Sequence, residues 1–141
     1  MQMTAERREA SSTSSLVSPH RLIQIWPKVA KLLAKVPGGY CSQTDYFDRI
    51  CSGQFQLWVD SDEVNALALG EVIQYPQKRV YSIFIVIGQG RQDWQDRVQE
   101  IEAYAREKRC RGMRCLARKG WERVMKSYGY EAPHVCLEKE L

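Results

Sequence analysis

Thiols, imidazoles and a run of cations are the groups in this sequence whose types and spacing could do chemistry. The five cysteines, Cys41, Cys51, Cys110, Cys115 and Cys136, could in principle ligate a metal, pair with one another or act as nucleophiles. Metal binding needs ligands at short, recurring spacings. No CxxC pair occurs, and the two histidines, His20 and His134, are far apart, so no metal site is expected. An odd cysteine count without a disulfide framework suits a reducing compartment. Cys110, Cys115 and Cys136 fall beside or within expected strands, where a free cysteine behaves as a small apolar side chain. The cations Arg109, Arg111, Arg114, Arg118 and Lys119, followed by Trp121, could meet phosphates. A nucleic-acid binder concentrates such charge in a stripe. Here 21 basic residues give a net charge of only +4 and are interleaved with acids, as in Arg106-Glu107-Lys108-Arg109. Trp121 opens an apolar helical stripe and reads as core, so nucleic acid is not an expected partner.

The elements that must position any site follow from the apolar pattern. The chain has 141 residues, 44% hydrophobic and 27% charged, enough for one domain with a single mixed core. Residues 1–18 are polar, with Ser11-Ser12-Thr13-Ser14-Ser15 at their centre. They bury too little apolar surface to offset their ordering entropy, so a flexible tail is expected, with one α/β domain over 19–141. Pro27 is suited to a first helical turn. Val29, Leu32, Leu33 and Val36 continue from it at helical spacing until Pro37-Gly38-Gly39. Ser42-Gln43-Thr44-Asp45 reads as the start of a second, short helix.

Strands follow. Phe55, Leu57 and Val59 alternate with polar neighbours. Residues 66–74 and 80–87 flank a hairpin at Tyr75-Pro76-Gln77-Lys78, and Ile83-Phe84-Ile85-Val86-Ile87 is apolar enough to be covered on both faces. A helix is expected over 93–108 with Trp94, Val98, Ile101 and Ala105 inward. A strand is expected over 112–117, a helix lined by Trp121, Val124, Met125 and Tyr128 and closed at Gly129 comes next, and a last strand over 133–140. No apolar run reaches the length of a membrane-spanning helix, and no signal-peptide apolar region is present near residue 1. The expected setting is cytoplasmic.

The order α-α-β-β-β-α-β-α-β resembles the GNAT family of N-acetyltransferases over residues 20–141, with a mixed central sheet. Glu102 and Ala105 followed by Arg109-Cys110 resemble that family's central helix, E-x-x-A-x-x-x-G-C, and Tyr128-Gly129-Tyr130 resembles its G-F ending. The resemblance implies that acetyl-CoA is cradled by the loop after the central strand, whose pattern is Gln or Arg, x, x, Gly, x, Gly or Ala. Backbone N–H groups and a helix N-terminus hold pyrophosphate there, which requires close backbone approach. The first position falls on Gln89, and Gln89, Gly90, Arg91 and Gln92 are the implied cofactor-binding residues, with Arg118 or Lys119 adding charge. The two glycine positions fall on Gln92 and the bulky Trp94, while Gly88 and Gly90 would serve only a shifted loop.

The second helix departs in the same way. The family's Asn position falls on Arg118, its small residue on Trp121 and its general-acid Tyr on Met125, which has no proton to give. Residues 82–87 hold no carboxylate. Glu71 is the nearest acid and reads as a solvated strand residue, and Tyr128 belongs to the apolar stripe. No catalytic residue is assigned. Arg118-Lys119-Gly120-Trp121 and Gly129-Tyr130 also resemble GNAT-like proteins encoded by tailed phages. The resulting expectation is a catalytically degenerate GNAT-fold protein that binds protein partners, other virion components among them, and is packaged in a virion. The alternative is an active acetyl-CoA-dependent N-acyltransferase acting on an amine.

Overall fold

The computed structural model of the protein describes residues 15–89 and 94–141. Its first helix, α1 (Pro19–Leu33), starts eight residues before the expected Pro27 and carries that proline in its interior. Ser18 is the N-cap, its Oγ accepting the Arg21 N–H at 3.2 Å, and Pro19 occupies the first turn, where its missing N–H is harmless. An interior proline costs about 3 kcal/mol. Burying Leu22, Ile25, Val29 and Leu33, each contributing roughly 1.5–3 kcal/mol, outweighs it. The carbonyl that loses its donor belongs to Ile23, on the solvent side of the helix. α2 (Gln43–Cys51) begins where expected. Ser42 Oγ accepts from the Asp45 N–H and the Asp45 carboxylate accepts from the Ser42 N–H, a reciprocal capping box.

Four strands form one mixed sheet in the order β1 (Gln56–Val59), β2 (Ala66–Gln74), β3 (Arg79–Gly88), β4 (Gly112–Cys115). The first two pairings are antiparallel and the β3–β4 pairing is parallel, through the crossover helix α3 (Gln95–Glu107). A 3-10 turn (Lys119–Trp121) leads into α4 (Glu122–Ser127). Helices α1 and α2 cover one face of the sheet over Leu57, Val59, Leu67, Leu69 and Ile85. α3 and α4 cover the other over Trp58, Ala66, Ala68, Tyr81 and Ile83, with Trp94, Val98, Ile101 and Ala105 inward as their spacing indicates. The family-like turn after α3 is formed with an unusual residue. Arg109 adopts φ 63° in the left-handed region, where the related pattern has glycine.

Two expectations about the ends of the chain change. Of residues 1–18, Ser15, Leu16 and Val17 lie along the outer edge of β1: the Val17 N–H donates to the Leu57 carbonyl at 2.9 Å and the Val59 N–H to the Ser15 carbonyl at 2.8 Å. Val17 then adds its side chain to the core, although its polar neighbours conceal it in the sequence. The expected last strand over 133–140 does not form. That segment has no ladder partner, and Val135, Leu137 and Cys136 are exposed. Alternating apolarity makes a strand only where an edge is within reach. The described chain instead ties this segment back through a hydrogen bond from Tyr40 Oη to the Glu138 carboxylate at 2.6 Å.

Candidate functional site

The site begins with an irregularity in β3. Leu69 pairs with Ile85 but Gly70 pairs with Ile83, so Phe84 is an extra residue, a β-bulge. The bulge reverses the facing of the strand: Tyr81 and Ile83 point to the α3 layer, whereas Ile85 and Ile87 point to the α1 layer. It also bends β3 where β4 departs. The parallel ladder ends at Ile83–Cys115, with one more bond from the Leu116 N–H to the Ile83 carbonyl at 2.7 Å. Beyond that point no strand among the described residues lies beside the β4-side edge of β3. The wedge left between the strands is a cleft of about 280 Å³ lined by Val86, Ile87, Gly88, Arg118, Gly120 and Trp121.

Gly88 stands at the end of this cleft because no other residue fits. Its φ is +119°, and a Cβ there would collide with the Asn65 carbonyl and with Ala66. The Gln89 N–H prolongs the β2 ladder by donating to the Asn65 carbonyl at 3.2 Å. On the opposite face of the sheet Gly88 and Gln89 border a second cavity of about 390 Å³, whose other walls are Lys28, Lys31, Leu32 and Lys35 and the turn Glu63, Val64 and Asn65. That turn is strained: Val64, a β-branched residue, has φ 52°. It is held by the burial of the Val64 side chain and by the Asp60 carboxylate, which accepts the N–H groups of Asn65 and Ala66 at 3.0 and 3.1 Å.

The side chains singled out in the sequence divide between these places. Gln89 borders the lysine-lined cavity rather than the wedge; Gly90, Arg91 and Gln92 lie outside the described residues. Arg118 lines the wedge. Trp94 does not stand over the loop as its position suggests. It is 3% exposed and turned into the α3 layer, edge to face with Trp121 at 6.1 Å between ring centroids. Met125 is buried beside them. These three fill the floor beneath the wedge and leave the wedge open. Arg114, from the basic cluster, lies over the Tyr75 ring at 5.5 Å.

The proton-bearing groups nearby are committed elsewhere. Tyr130 donates its hydroxyl hydrogen to Glu102 Oε2 at 2.9 Å, and burial raises its pKa well above the ordinary tyrosine value. Burial pushes the Cys115 thiol up to about 11, so it is not a thiolate nucleophile at neutral pH. Glu71 lies mid-ladder opposite Ser82, outside both cavities; burial raises its pKa and Arg49 opposes the shift. Among the described residues Arg118 is the one charged side chain lining the wedge. Sequence reasoning missed the groove on the α1 face. Its signal was Lys28, Lys31 and Lys35, three cations spaced along one side of a helix and just past its end.

No protein-family model and no curated protein matches the sequence, whereas solved structures match its fold. The glucosamine-6-phosphate N-acetyltransferase of Arabidopsis thaliana superimposes with a TM-score of 0.67 at 14% identity, over 84% of this chain and 92% of that one. A predicted acetyltransferase from Clostridium acetobutylicum, solved with acetyl-CoA, gives 0.63 at 15% identity, over 89% and 93%. The ribosomal-protein-alanine N-acetyltransferase of Brucella melitensis gives 0.60 at 13% identity, over 89% and 97%. With its bulged third strand, parted fourth strand and two covering helix layers, this chain has the GNAT acetyltransferase fold.

Proposed function

We propose that the protein is an acyl-CoA-dependent N-acyltransferase. The observation that carries this reading is the wedge itself: β4 leaves β3 after Cys115, exposing a strand edge beside a 280 Å³ cleft with a cation in its wall. An extended amide-containing arm can complete the free edge of β3 as another strand would. Arg118 is placed to meet a phosphate through charge-assisted hydrogen bonds. Acetyl-CoA, the ligand of one structural neighbour, joins those features in one molecule and supplies an activated thioester carbonyl. The chain's own contribution is to position an amine against that carbonyl and to exclude water with Val86, Ile87 and Trp121. Positioning alone is worth several kcal/mol of barrier, up to roughly 7–11 kcal/mol in well-oriented systems. Among the described residues no carboxylate, imidazole or phenol lines the wedge, so none of them takes a proton from the amine there.

A second reading is a catalytically silent acyl-CoA-fold protein of the phage type that works through protein contacts. It is favoured by Met125, buried where the related family has its acid, and by a wedge lining with no proton-transfer group among the described residues. One experiment separates the two. Calorimetric titration with acetyl-CoA should show one site in the micromolar range, weakened about tenfold by Arg118→Glu. CoA release with a panel of primary amines should then exceed hydrolysis. Binding without turnover on any amine, or no binding at millimolar acetyl-CoA, defeats the acyltransferase reading and supports the silent one.

A further inference from the structure

We propose that the groove on the α1 face is an oxyanion site that docks the acyl acceptor through its phosphate or carboxylate group. The inference rests on the acyl-transfer reading above and adds the chemical class of its second substrate. Four observations converge. First, the two cavities lie on opposite faces of the sheet and both are lined by Gly88, so the groove adjoins the end of the wedge. Second, among the described residues Lys28, Lys31 and Lys35 line the groove against the single carboxylate of Glu63, an excess of two positive charges.

Third, no ion pair consumes these lysines among the described residues: Lys28 donates to the Asp62 carbonyl at 3.1 Å, and the nearby acid Asp62 is held by Arg21 at 2.7 Å. Fourth, the groove wall is built at a cost, because Val64 is kept at φ 52° by burial and by Asp60. That strain shapes the turn facing the lysines. Three cations converging on a concave wall select an anion, whereas a cationic or neutral acceptor would leave them unpaired. The wedge has its own cation in Arg118, so the two charged ends of the reaction have separate seats.

The test is a titration of the full chain with inorganic phosphate, followed by amide chemical shifts, alone and with acetyl-CoA at saturation. The expected result is saturable binding in the millimolar range, with shifts at Lys31, Lys35, Asn65 and Gln89, retained when acetyl-CoA is present. Lys31→Glu/Lys35→Glu, at exposed positions off the core, should weaken phosphate about tenfold or more and leave acetyl-CoA affinity unchanged. Lys139→Glu, the same charge change on the carboxy-terminal segment, should do neither. With acetyl-CoA bound, phosphoethanolamine should perturb the same amides and ethanolamine should not. Phosphate displaced by acetyl-CoA would overturn the proposal by giving the groove to the cofactor's own phosphates. Non-saturable phosphate shifts spread over the surface would overturn it too. Loss of acetyl-CoA binding with phosphate binding intact would instead defeat the acyl-transfer reading and the acceptor role that rests on it.

Discussion

Replacing Tyr81 by Phe tests the layer beneath the wedge without touching the wedge itself. Tyr81 is fully buried and its hydroxyl bridges two strands: it accepts from Trp58 Nε1 at 3.0 Å and donates to Gln56 Oε1 at 3.0 Å. Phenylalanine keeps the ring, and with it the edge-to-face contacts to Trp58 and Tyr104. What it loses is both hydrogen bonds, and Trp58 is 1% exposed, so its N–H cannot turn to water. Leaving a buried donor unsatisfied costs about 1–3 kcal/mol. Gln56, which also donates to the Gly53 carbonyl at 2.7 Å, is pinned, and its Oε1 loses its donor at the low end of that range.

The expected destabilisation of this variant is about 2–4 kcal/mol, a large share of a total stability of roughly 5–15 kcal/mol. Urea unfolding should show a lower midpoint at unchanged slope. Trp58→Phe/Tyr81→Phe should lose at least about 1 kcal/mol less than the sum of the single variants, because it removes donor and acceptor together. A pH series gives a second readout. Burial raises the Tyr81 pKa above its ordinary 10, so between pH 10 and that raised value the folded chain holds a proton that the unfolded chain releases. Stability therefore falls as pH rises above 10, and the variant should fall less steeply. A loss below about 0.5 kcal/mol, or strict additivity with Trp58→Phe, would refute the network as the reason this tyrosine is buried.

Arg109→Gly should stabilise the fold by about 0.5–1 kcal/mol, since left-handed backbone costs a non-glycine residue more than glycine's extra unfolded entropy; thermal unfolding would show it, and a loss would mean that the Arg109 side chain holds the turn. Asp45→Ala should destabilise at neutral pH. Hydrogen bonds from Ser42 lower the Asp45 pKa, so its contribution is full above its unfolded value near 3.8 and is lost as pH falls through the folded value, and an acid titration of stability should see the two chains converge there. Trp121→Ala removes a buried indole from the wall of the wedge and should cost about 3–5 kcal/mol in denaturant unfolding; an unchanged midpoint would show that the Trp94–Trp121 pair is not packed as described. If acyl transfer is measurable, its rate on a given amine should rise tenfold per pH unit until the amine's own pKa, because the described residues of the wedge lining supply no base; a bell-shaped profile below that pKa would identify an enzyme acid or base.

Local sequence determined the elements whose causes are local. The Ser42 and Asp45 spacing is enough to start α2, the 94, 98, 101, 105 stripe is enough to orient α3, and Gly129 at φ 93° ends α4. The same patterns, with the matches around Ala105 and Tyr130, carried the resemblance to the GNAT fold that the solved structures then supported. Where local rules conflicted, tertiary packing decided. Pro27 looked like a helix start because proline favours first turns, yet four buried side chains upstream and downstream hold the helix through it. Residues 133–140 alternate like a strand but form none, because alternation sets which face is apolar and not whether a partner edge is near. Trp94 read as an obstruction because a one-dimensional count cannot tell which way an indole turns. The site is the clearest case. A wedge made by a bulge at Phe84, and a lysine groove that meets it only at Gly88, depend on residues up to about ninety positions apart, brought together by strand register and helix placement.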